Sequence, residues 1–169
     1  MIPLQGFAQT EYCTAPGELV TEDATGDVVP VPGTGLDVLT VHIAEPADDP
    51  DTLHFTLKID RPSQGATPQT RYYVNFLTPD GVERFVRYTP YPIPGAENAF
   101  SGADQMFSVG HIEDGSSVTD APAEPASNAS ADGNITFVVK TRTLGRLSPG
   151  DVIADIEGES AIYTVAGRV

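Results

Sequence analysis

The chain has 169 residues and a formal net charge of −15, from 24 Asp and Glu against 9 Lys and Arg. That length suits one domain with a real core. A surface this negative repels phosphate backbones and anionic headgroups, so nucleic acid and membrane surfaces are excluded as expected partners. The acidity fits a soluble extracellular protein and is compatible with cation binding. One cysteine, Cys13, allows no internal disulfide, and three histidines (His42, His54, His111) with no Cys nearby give no zinc spacing.

In chain order, residues 1–16 read as a flexible arm or linker. "MIPLQGFAQT" has neither a basic n-region nor a long apolar h-region, so it is not an intact signal peptide, and Met1 is consistent with the start of an excised domain. No apolar run approaches the roughly 18 residues that a membrane span needs. From 17 to 169 we expect one β-sandwich domain.

The stretch Thr21–Val41 sets Glu22, Asp23, Asp27 and Asp37 around glycines 26, 33 and 35. Clustered carboxylates repel one another unless a cation neutralises them, and calcium takes six to eight oxygens from such a loop. These four residues are the candidate metal ligands, and a solvated acidic loop is the alternative. The spacing is not that of an EF-hand. "EPADDPD" (45–51) is a second acidic loop between two strands.

Between the glycine and proline punctuation the apolar period is two. "DVLTVHIAE" sets Leu39, Val41 and Ile43 on one face, and "DTLHFTLKID" sets Leu53, Phe55, Leu57 and Ile59 on one face. His42 and His54 fall on the outer faces of adjacent strands. As cross-strand neighbours they could hold a transition metal, or they are plain surface. "TRYYVNFLT" alternates Tyr72, Val74 and Phe76 against Arg71, Tyr73 and Asn75, "TPDG" is a tight turn, and "VERFVRYT" returns as the hairpin partner.

"PYPIPGAENAFSG" reads as an extended loop. Later strands are expected at "DQMFSVG", "NITFVVK", "DVIADIE" and "AIYTVAG", with a turn at "ADGN" and another at Pro149–Gly150. The region near 111–133, poor in large apolar residues, is expected to be a long mobile loop. No stretch keeps helical spacing over three turns. The expected class is all-β, an antiparallel sandwich of jelly-roll or Greek-key connectivity with little or no helix.

The candidate ligand-binding residues are Arg71, Tyr73, Asn75, Tyr88 and Tyr91. A Tyr/Arg/Asn patch on a sandwich face can stack on a sugar or form a protein interface. The competing reading buries Tyr73 against further structure. There is no G-x-S-x-G elbow and no H-E-x-x-H helix, so no catalytic residue is nominated, no organic cofactor is expected, and the chain is read as a non-enzyme.

The stretches "CTAPGELVTEDATGD", "LDVLTVHIAEP", "TLHFTLKI", "TPQTRYYVNFLTPDG" and "ASADGNITFVVKTRTLGRLSPGDVI" occur in an order that resembles an accessory β-sandwich module of bacterial secreted multidomain proteins. Such modules are often found beside subtilisin-like peptidases. The pattern is also loosely similar to DOMON-like and family 9-like carbohydrate-binding sandwiches, although the chain has no tryptophan. The resemblance implies a non-catalytic accessory module of a secreted hydrolase, with a neighbouring domain as partner, polysaccharide or a protein surface as ligand, and calcium as a stiffener. A structural or adhesive spacer is the alternative, and a stand-alone hydrolase a distant third.

Overall fold

The computed structural model of the chain describes residues 14–24, 37–60, 70–90, 106–148, 150–164 and 167–168, with the backbone alone after residue 161. The strands are β1 (Glu18–Glu22), β2 (Val38–Ala44), β3 (Thr52–Ile59), β4 (Thr70–Leu77), β5 (Glu83–Tyr88), β6 (Phe107–Glu113), β7 (Ser116–Pro122), β8 (Asn128–Ala129), β9 (Asn134–Lys140), β10 (Ala154–Thr164) and β11 (Gly167–Arg168). They form a five-stranded sheet, β1-β2-β3-β9-β8, and a six-stranded sheet, β11-β10-β4-β5-β6-β7. Every pairing is antiparallel. The helical structure among the described residues is a 3-10 turn at Thr141–Leu144. The all-β sandwich expected from the alternation is therefore what forms.

The connectivity has a Greek-key return. β4, β5 and β6 follow one another as neighbours, and β10 comes back to lie beside β4. In the other sheet β9 lies beside β3, the last of the run β1-β2-β3, after the chain has crossed the six-stranded sheet. The two sheets close on one core. Leu53, Phe55, Leu57 and Ile59 of β3 meet Tyr72, Val74 and Phe76 of β4, joined by Val41, Val86, Val109, Ile135, Phe137 and Val139. Phe55 stacks on Phe76 across the sandwich at 4.9 Å between ring centroids. Inner and outer residues alternate because successive strand side chains point to opposite faces.

Departures from strict alternation have local causes. In β2 the register slips between Val38 and Thr40, so Val38 enters the core beside Val41 while Leu39 is half-buried. A one-residue bulge does this by setting two residues of one strand against one of its partner. The segments read as two separate strands, "DVIADIE" and "AIYTVAG", both contribute to one eleven-residue strand, β10, which starts at Ala154 and runs to Thr164.

The region near 111–133 differs most from expectation. In place of a long loop it carries the end of β6, all of β7, and β8. The hairpin between β6 and β7 turns on Asp114 and Gly115, at φ 50° and 72°. Asp-Gly with both residues at positive φ is a favoured two-residue hairpin turn, because its twist matches that of the strands.

The β4–β5 turn forms as expected. Gly81 N donates to Thr78 O at 2.8 Å. The Thr78 hydroxyl donates to Asp80 Oδ1 at 2.6 Å and receives Arg84 Nε at 3.1 Å, and Arg84 Nη2 reaches Asp80 Oδ2 at 3.0 Å. These bonds, the Thr78 hydroxyl first, hold the Asp80 carboxyl below the usual carboxylate range. The 3-10 turn packs on this network. Leu144 is buried in the core, and Gly145 follows at φ 84°, a left-handed conformation that strains any side chain; a Cβ there would sit 2.8 Å from Asp80 Oδ2 and displace it.

Candidate functional site

The proposed tyrosine patch is divided by the sheet. Tyr73 pairs with Arg87, whereas Tyr72 pairs with Tyr88. Tyr88 therefore shares the inner face with Tyr72, and stacks on it at 6.2 Å and on Phe107 at 4.7 Å. Burial, with the nearby Tyr88 phenol second, pushes the Tyr72 phenol up to about 12. Tyr73 lies on the outer face, but only 4% of it is exposed. It meets Phe85, itself fully buried, edge-on at 5.7 Å, and both pack with Ala161 and Ile112. The outer face of the six-stranded sheet thus carries a second, smaller apolar cluster.

The polar residues around that cluster are engaged. Asn75 Nδ2 donates to Glu159 Oε2 at 3.1 Å. Arg87 lies over the Phe85 ring at 5.6 Å and donates to Thr119 Oγ1 at 2.9 Å. Arg71 sits on the same face, opposite Ala161 on β10. Tyr91 lies outside the described residues. The patch as nominated does not assemble: Tyr88 points into the core, and Tyr73 packs as a core residue would.

The acidic stretch folds in part into a strand. Glu22 ends β1, opposite Thr40. Asp23 is exposed, its amide donates to Leu39 O at 2.9 Å, and its own carboxylate takes the Ala24 amide at 2.8 Å. Asp37 is 8% exposed, and its carbonyl receives the Asp60 amide at 2.9 Å. Asp27 lies outside the described residues, as does Cys13. Among the described residues no three His, Cys, Asp or Glu side chains gather as a metal ion would require. In the second acidic loop Asp49 pairs with Lys140 at 3.2 Å.

On the outer face of the five-stranded sheet the sequence drew attention to His42 and His54, as a metal-holding pair or plain surface, and not to the residues between them. His42 lies opposite Thr56, Thr56 opposite Thr136, and Thr136 opposite Asn128, forming one rung across four strands. His54 lies opposite Ala44, so the two histidines are diagonal neighbours rather than a facing pair. Burial holds His54 below the usual histidine value, against the opposing pull of Asp49 and Asp48. At the centre of the rung Thr56 is 6% exposed, and its hydroxyl has no hydrogen-bond partner among the described residues. Lys58, Thr136 and Asn134 around it are half-buried.

One signal for this face was present in the sequence. The segments that become β2, β3 and β9 contain no Asp or Glu, in a chain with 24. That β9 would lie beside β3, some eighty residues away, was not written in any local pattern.

No protein-family model, curated protein or solved structure matches this chain. The likeness to accessory sandwich modules rests on the motifs quoted above.

Proposed function

We propose that the chain is a non-catalytic accessory module of a secreted, multidomain bacterial hydrolase, and that it holds a polysaccharide on the outer face of the five-stranded sheet. The observation that carries the reading is the rung His42–Thr56–Thr136–Asn128, in which half-buried His42 and Thr136 and exposed Asn128 present imidazole, hydroxyl and amide groups around the buried Thr56. Such groups can give and take hydrogen bonds with sugar hydroxyls. The burial of Tyr73 and the inward placement of Tyr88 move the expected site away from the aromatic patch.

Those same two tyrosines favour a second reading, a spacer that separates neighbouring domains and binds no glycan. Sugar-binding sandwiches draw much of their affinity from an exposed aromatic platform, and here both rings serve packing.

Affinity electrophoresis through gels containing soluble polysaccharides separates the two. The module reading expects saturable retardation by at least one polymer, and no turnover of ester, glycoside or peptide substrates. Free migration in every gel selects the spacer, and turnover that survives contaminant controls overturns both. Calcium is tested separately by thermal unfolding in EDTA and then in millimolar calcium. A native-state ligand at a hundred times its Kd adds about 2.7 kcal/mol, several degrees for a domain of this size. A rise absent with sodium chloride directs attention to Glu22, Asp23, Asp27 and Asp37, and an unchanged midpoint removes calcium from the reading.

A further inference from the structure

Each sheet ends in two edge strands, and the edges differ. β8 and β11 are two residues long. β7 carries Pro122 and shows no large apolar side chain to solvent. β1 does the opposite. Leu19 and Val20 are 47% and 37% exposed, and among the described residues the one other large apolar side chain so open is Val152. Among the described residues β1 pairs with β2 alone. The Asp23 amide donates to Leu39 O on β2. Alternation then points the N–H and C=O of Glu22 away from β2, along the open edge. Such unpaired backbone groups are a template for another strand.

Apolar side chains at an open edge invite self-pairing, and the charges here oppose it. A second copy laid antiparallel along the whole of β1 sets Glu18 against Glu22 at both ends, and like charges directly opposite repel. The bulge between Leu19 and Thr21 is a further guard.

The acidity extends past the strand. Asp23 is exposed, and so are Asp155 and Glu157, which flank Ile156 on β10. The Thr21 hydroxyl donates to the Ile156 carbonyl at 2.8 Å, so these residues border the same seam. Among the described residues no ion pair engages Glu18, Glu22, Asp23, Asp155 or Glu157. Along the Glu22 rung the first basic residue is Lys58, two strands in, and its ammonium donates to the Asp132 carbonyl. Charge that turns away a copy of this chain favours a strand of opposite charge.

We propose that the open edge of β1 takes an extended segment of a partner protein as an added strand, one that alternates apolar residues with Lys or Arg. Its backbone pairs along Glu22, its apolar side chains lie on Leu19 and Val20, and its cations meet Glu18, Glu22 and Asp23. Such a partner docks whether or not a glycan is held on the sheet face.

The test uses the full chain and two short labelled peptides, one alternating lysine with valine and one alternating glutamate with valine, followed by fluorescence anisotropy at physiological salt. The lysine peptide should bind saturably and the glutamate peptide should not. A fully N-methylated lysine peptide keeps the charge, loses every backbone donor and should fail to bind. Hydrogen exchange at the Glu22 amide should slow in the complex. Glu18→Lys combined with Glu22→Lys should weaken the lysine peptide about tenfold, as for two exposed ion pairs near the top of their range, and should admit the glutamate peptide. Leu19→Ser should weaken binding with an unchanged unfolding midpoint, and it carries the test if the double variant folds poorly. Equal binding of the N-methylated peptide overturns strand addition and leaves only attraction to a chain of net charge −15. No binding, or binding that none of these substitutions weakens, overturns the assignment to β1. Concentration-dependent dimerisation with the same protection at Glu22 makes a second copy the occupant and overturns the basic partner.

Discussion

Replacing Tyr73 by alanine distinguishes a packing residue from a ligand platform. The ring is 4% exposed and meets Phe85 edge-on at 5.7 Å, with Ala161 beside it. Truncating a buried aromatic residue to alanine costs about 3–5 kcal/mol, from lost transfer free energy and the cavity left behind. Against a total stability of about 5–15 kcal/mol this is a large fraction. At about 2–4 °C per kcal/mol for a chain of this length, the midpoint should fall by about 6–20 °C. Tyr73→Phe keeps the ring and should cost far less. The edge-on pair itself should appear as a coupling of about 0.5–1.5 kcal/mol in a double-mutant cycle with Phe85→Leu. The assay is urea unfolding followed by circular dichroism and by tyrosine emission, since the chain has no tryptophan. A shift under about 0.5 kcal/mol, the range of ordinary surface changes, would refute the packing argument and restore Tyr73 as an exposed platform.

Three further outcomes follow from the same geometry. Gly158→Ala places a methyl 2.6 Å from Val38 Cγ1 and 2.9 Å from Leu57 Cδ1, so overpacking should cost about 1–3 kcal/mol in urea unfolding, and a neutral result would contradict the sheet-to-sheet contact. Asp80 has a depressed carboxyl, so its contribution is present above the ordinary carboxylate value and is lost as pH falls through its folded value. Asp80→Asn should therefore lower the midpoint at neutral pH, and the gap to the parent should close below pH of about 4; a gap that does not change with pH refutes the Thr78–Asp80–Arg84 account. His54 is also depressed, by burial, so the unfolded chain takes its proton first as pH falls through the unfolded histidine value of about 6.5. Stability at this site is complete above that value and is lost below it. An NMR titration should give His54 a midpoint below 6.5, and His54→Gln should flatten the stability loss between about pH 7 and pH 5.

The sequence was most legible where a residue's face is set by its neighbours. "TLHFTLKI" states its inner and outer sides by period two, and Leu53, Phe55, Leu57 and Ile59 all enter the core. "TPDG" states its turn by Pro79 and Gly81, and Gly81 adopts φ 76°. The β6–β7 hairpin was legible too, from Asp114-Gly115, but the polar, proline-bearing composition of the following strand outweighed that signal. Among the described residues β7 pairs only with β6, at the edge of its sheet, where a strand needs little apolar content. The candidate site was legible only in fragments. The alternation of Arg71, Tyr73 and Asn75 put them on one face, but could not show that Phe85 and Ala161 would meet Tyr73 there.

By itself the sequence determined an all-β protein, the inner faces of its longest strands, its tight turns, and a large negative charge. Each of these follows from short-range stereochemistry or from counting. The tertiary structure alone decided which strands became neighbours: β9 beside β3, and β10 beside β4. Those pairings join residues 76 to 92 apart in the chain, as in the Lys58–Asn134 and Thr70–Ile162 rungs, and no local pattern encodes them. They place Tyr73 among buried side chains, and they assemble Thr56, Thr136 and Asn128 on one face. A binding face on a sheet depends on strand order, and strand order is fixed by how the whole apolar pattern closes on a single core.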